Sequence, residues 1–118
     1  MKFKEFDEYI DYLVTNEIPP TLLKSLNGGI RLSKALQQDD DEKDYYILGE
    51  YIEDELGFYI NIYYGSFMHF YGDKSNKIIK KEILSTIKHE LTHHIESLAG
   101  NETLAYEEDI EVAKRKKE

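Results

Sequence analysis

No cysteine occurs in the chain, which excludes a disulfide framework and any thiolate metal site. A metal ion would have to be held by His, Asp or Glu. Nor is there an apolar run near the roughly 20 residues that span a bilayer. The opening Met1-Lys2-Phe3-Lys4-Glu5-Phe6-Asp7 lacks the apolar core of a signal peptide. These absences predict a cytoplasmic protein with no membrane partner. Positive charge is also short: Lys+Arg 15 against Asp+Glu 24 leaves a net charge of −9, which argues against a nucleic-acid partner. The basic cluster Lys114-Arg115-Lys116-Lys117 follows Glu107, Glu108, Asp109 and Glu111. Acids before bases complement a helix dipole, so the cluster reads as helix-end stabilisation.

What is present suits one domain over residues 1–118, with 41% hydrophobic and 33% charged residues. Phe3, Phe6, Ile10 and Leu13 recur at helical spacing, predicting an amphipathic helix from Lys2 to about Asn16. Pro19-Pro20 ends it, and Thr21–Leu26 is expected to add a short helical turn. Asn27-Gly28-Gly29 marks a turn, and Ile30 and Leu32 then alternate with Arg31 and Ser33 as in a strand. Asp39-Asp40-Asp41-Glu42 lacks the spaced oxygen ligands of a calcium loop and reads as a solvated loop.

Tyr45–Ile52 and Phe58–Tyr64 both read as strands. In the second, Phe58, Ile60, Ile62 and Tyr64 are expected to face the core, with Tyr59, Asn61 and Tyr63 on the other face. A long helix is expected from about Asn76 to Ala99, with Ser75 as N-cap and Gly100 as stop signal. Leu104–Lys116 reads as a short final helix. The elements make an α+β domain with a small sheet of three or more strands and the long helix packed on it.

The long helix carries His89-Glu90-Leu91-Thr92-His93, an HExxH motif. At about 100° per residue, Ile83, Leu84, Ile87, Leu91, Ile95 and Leu98 gather on one side. His89, His93, Glu96 and Gly100 gather on the other. One face can then pack on the sheet while the other lines an open cleft. Histidines four apart stand about one turn, roughly 6 Å, apart on one face and can converge on a zinc ion. Zinc lowers the pKa of a bound water towards about 7, and Glu90, beside that face, can accept its proton as general base. The plain alternative is two surface histidines on an ordinary helix. The opposing apolar face and the helix-ending Gly100 weigh against it.

The chain resembles the small zincin-like metallopeptidases found mostly in bacteria. The likeness runs from Ile18-Pro19-Pro20, through Ile30–Leu32 and Leu48-Gly49-Glu50-Tyr51, to Ile60-Asn61-Ile62-Tyr63-Tyr64 and His89-Glu90-Leu91-Thr92-His93-His94. The last six residues match the group's HExxHH pattern. The resemblance implies a zinc-dependent peptidase acting on peptide or protein substrates, with His89 and His93 as ligands and Glu90 as base. It also implies an edge strand that pairs with the substrate backbone, for which Tyr63-Tyr64-Gly65-Ser66-Phe67 is the candidate. Many members carry a glycine soon after the double histidine and then an aspartate ligand. Here Ile95-Glu96-Ser97-Leu98-Ala99-Gly100 inserts almost another turn first.

The third protein ligand is therefore sought further along. Three ligands from one straight helix would strain a tetrahedron, which disfavours Glu96. If the last helix folds back antiparallel from Gly100, the level of His93 is met about seven residues beyond it, at Glu107 or Glu108. Glu108 shares an inward row with Leu104 and Val112 and is expected to be the ligand, with Glu102 and Asp109 as the alternatives. His94 is expected to be a buried neutral histidine, and His69 a lesser candidate for the cleft. The rival reading is a non-catalytic zinc-binding or protein-interaction module on the same fold.

Overall fold

The computed structural model describes residues 1–42, 44–100 and 110–113. In chain order these form α1 (Phe3–Asn16), α2 (Pro20–Ser25), β1 (Gly29–Ser33), β2 (Tyr46–Asp54), β3 (Gly57–Tyr63), α3 (Tyr64–Tyr71), α4 (Asn76–Leu98) and β4 (Ile110–Ala113). The strands join in one sheet, order β1-β3-β2-β4. β1 runs parallel to β3, whereas β2 is antiparallel to both β3 and β4. The protein is α+β, as its element pattern requires. Among the described residues no helix is long and apolar enough to cross a membrane.

The core forms where amphipathic faces meet. Phe6, Ile10 and Leu13 of α1 lie on one stripe and are buried with Ile60 and Ile62 of β3 and Ile79, Ile83 and Ile87 of α4. The alternation expected in β3 is present at its centre. Tyr64 departs from it, because the chain turns into α3 there. Tyr64, Phe67 and Tyr71 share a helical face, and the rings of Phe3, Phe6, Tyr64 and Phe67 meet edge to face at 5.2–5.3 Å. Helical burial of these rings outweighs their strand propensity. The segment Tyr63–Phe67 is thus not an edge strand for substrate: β3 is flanked on both sides, and the residues after Tyr63 are helical.

The final helix expected over Leu104–Lys116 is also corrected. Residues 110–113 are a strand, paired through Tyr46↔Ala113, Ile47↔Val112, Gly49↔Glu111 and Glu50↔Ile110. Ile110 and Val112 are β-branched and alternate with Glu111 and Ala113, and pairing with β2 satisfies backbone groups that would otherwise be left at a sheet edge. The rest of that span, and the Lys114–Lys117 cluster, lie outside the described residues. The Asp39–Glu42 stretch is a solvent-exposed turn, its Asp39 Oδ1 accepting from the amides of Asp41 and Glu42.

α4 lies directly on β2. A Cβ placed on Gly49 would stand 2.9 Å from Thr86 Cγ2, 3.0 Å from Ile62 Cδ1 and 3.2 Å from the Asn61 carbonyl oxygen. Glycine is what lets the helix approach this closely. Gly49→Ala is expected to cost about 1–3 kcal/mol by overpacking. Thr86→Ser, which removes the nearest methyl, should recover part of that loss in the double variant. Chemical denaturation of the four proteins checks the non-additivity.

On the opposite face of the sheet, Tyr63 donates to Glu50, and Asn61 Nδ2 lies 3.5 Å from the tyrosine hydroxyl. Burial and then the Glu50 hydrogen bond push the Tyr63 hydroxyl from 10.0 up to about 12. The protonated form is thus favoured by folding. This contribution is complete below pH 10 and is lost as pH rises towards 12. An ultraviolet titration of tyrosinate should lose its latest component in Tyr63→Phe.

Candidate metal centre

α4 begins where Ser75 caps it, its side chain accepting from the amide of Ile78. It ends at Gly100, whose φ of +82° is a left-handed conformation that side chains disfavour. Between these signals the helix presents its buried face through Ile79, Ile83, Thr86, Ile87, Glu90, Leu91, His93 and His94. This is rotated from the expected apolar side. Ile95 and Leu98 are about half exposed, Ile95 lining a groove with Ile18, Leu22 and Leu84. Glu90 and His94 are fully buried in their place. His94 wins its position because the sheet and α2 offer it partners there.

The His94 Nδ1 lies 2.8 Å from the Tyr51 hydroxyl of β2, and its Nε2 lies 2.8 Å from Ser25 Oγ of α2. Its ring also packs beside Tyr51 and Phe58 at 5.3 and 5.4 Å. Desolvation lowers its pKa, with a smaller opposing influence from Glu53. His94 is the buried neutral histidine expected from its place on the helix, and both ring nitrogens are committed away from any metal. Tyr51 and Ser25 were not legible as its partners, being 43 and 69 residues away in sequence.

The HExxH histidines converge. His89 Nε2 and His93 Nε2 are 3.0 Å apart, with ring centroids 4.6 Å apart at 79°. Two nitrogens about 2.0–2.1 Å from a tetrahedral zinc stand roughly 3.3–3.4 Å from each other. A small opening of the pair would admit the ion. The donor set fits zinc, since both are imidazole Nε2 atoms brought together on one helix.

The surroundings are less open than the sequence suggests. His89 is exposed, but His93 is only 4% exposed and Glu90 not at all. The expected cleft is thus half closed: solvent reaches His89, while His93 and Glu90 are shut away from it. Among the described residues no group of three His, Cys, Asp or Glu gathers as a metal shell. Glu108, Glu102 and Asp109 lie outside the described residues. The strand at Ile110–Ala113 does, however, remove the inward helical row that linked Glu108 to Val112. His69 is taken up elsewhere, packed on Tyr46 at 4.4 Å and on Phe70 at 5.1 Å.

No protein-family model matches the chain, and no curated protein matches it. Among solved structures, it is similar to a conserved hypothetical protein from Thermo thermophilus, with 29% sequence identity and a TM-score of 0.75. The likeness covers 85% of this chain and 99% of that one.

Proposed function

We propose that the chain is a small zinc-dependent metallopeptidase of zincin-like fold, acting on peptides or exposed protein segments in the cytoplasm. The observation that carries this reading is the convergence of the His89 and His93 Nε2 atoms at 3.0 Å on one helix. His89 and His93 hold the zinc. Glu108 is the proposed third protein ligand, ahead of Glu102 and Asp109. With the helical row gone, what supports an acid from this segment is its link to β4, which contacts α4: Glu108 and Asp109 are the two residues before Ile110.

Zinc, when bound, supplies Lewis-acid activation of water and of the substrate carbonyl. Glu90 follows His89 directly and shares a helical flank with His93. Its carboxylate accepts the proton of the attacking water and returns it to the leaving amine. Burial of Glu90 and His93 keeps bulk water from competing for those hydrogen bonds. The exposed His89 side leaves an approach for substrate.

The same burial favours a second reading, a module whose zinc is structural and closed off by protein ligands. A peptide-library assay separates the two. Hydrolysis that disappears with a chelator and returns with zinc supports the peptidase. Stoichiometric zinc with no cleavage of any peptide supports the module.

A further inference from the structure

His94 holds no metal in this reading, yet it is fully buried and bonded at both ring nitrogens. Hydrogen-bond valence assigns its protons. Ser25 has one hydroxyl proton, which it donates to the Leu22 carbonyl at 2.9 Å. Ser25 Oγ must then accept from His94 Nε2–H. Nδ1 is left as the bare nitrogen, and the Tyr51 hydroxyl donates to it. The assignment also removes Ser25 as a nucleophile, because the histidine nitrogen facing it already carries a proton.

The resulting relay ties β2, α4 and α2 together one residue after His93. We infer that His94 is a positioning residue: with Tyr51 and Ser25 it fixes the rotation of α4 about its own axis, and so where the His89–His93 pair stands relative to the sheet and to any ligand supplied from outside the helix. The inference rests on the zinc reading above. An imidazole tip stands roughly 7 Å from a helix axis, so a 10° roll moves it by about 1 Å. A working site tolerates only about 0.5 Å. Packing through Ile83 and Ile87 is non-directional and resists such a roll weakly. Two hydrogen bonds gripping opposite edges of one buried ring resist it strongly.

The test pairs nitrogen NMR of the histidine rings in metal-free protein with zinc titration of full-length Tyr51→Phe, Ser25→Ala and Ser25→Thr. In the wild type, His94 should carry its proton on Nε2. Tyr51→Phe and Ser25→Ala should each shift the His89 and His93 ring signals and weaken zinc binding about tenfold. Ser25→Thr, which keeps the hydroxyl, should bind like wild type. Ile10→Val in α1 lowers Tm without touching the relay and should leave zinc affinity unchanged. A proton on Nδ1 of His94 overturns the inference. So do relay variants that lose Tm but bind zinc normally with unshifted His89 and His93. A wild type that binds no zinc overturns the metal reading alone, and the His94 tautomer and the His89 and His93 shifts then decide the inference.

Discussion

Glu90→Gln is expected to keep its zinc while losing about 10²–10⁴-fold in hydrolysis, the usual effect of removing a general base. The substitution preserves volume and helix propensity and removes only the charge and the ability to take a proton. Glu90 is fully buried on the flank of α4 that also carries Thr86 and His93. A neutral amide should therefore fit without displacing the histidines. Metal content and turnover must be measured on one preparation. Full turnover in the variant refutes the assigned role. Loss of metal instead makes Glu90 a ligand, and the site would then need a different base.

The second large effect concerns the histidines and separates metal binding from packing. Removing an outer-shell partner of a zinc ligand costs about 10–100-fold in affinity, and removing a ligand itself should exceed that. Both His89→Ala and His93→Ala are therefore expected to lose zinc by more than about 100-fold. They should differ in stability. His89 is exposed, and its truncation should change the metal-free protein by no more than about 0.5 kcal/mol. His93 is buried, so its truncation leaves a cavity and should lower Tm even without metal. Isothermal titration and thermal melts of the metal-free proteins check both parts. Histidines serving only as surface residues would leave zinc content unchanged in both variants.

Much of this architecture was legible locally. Ser75, the 3.6-residue apolar period and Gly100 mark the ends of α4 because capping and the left-handed stop depend on neighbouring residues alone. The alternation through Phe58, Ile60 and Ile62 marks β3 for the same reason. The i,i+4 spacing of His89 and His93 dictates their convergence on any helix. What was not legible depends on partners distant in sequence. Ile95 and Leu98 continue an apolar stripe on paper, but Tyr51 and Ser25 draw His94 inward and leave that stripe half exposed. Tyr64–Tyr71 has strand-forming rings, and packing against distant elements, the aromatic face of α1 among them, favours it as a helix. Residues 110–113 follow acids and precede bases as a helix would, yet the edge of β2 claims them as a strand. The third ligand belongs with these, since no local spacing fixes which acid reaches a metal held by two others.

A crystal structure of the zinc-loaded protein tests the central claim most directly. The account predicts one zinc per chain bound by the Nε2 atoms of His89 and His93, one further carboxylate from the segment after Gly100, and a fourth position taken by water within reach of Glu90. Zinc bound elsewhere, or no zinc at His89 and His93 under loading that fills other sites, would contradict it.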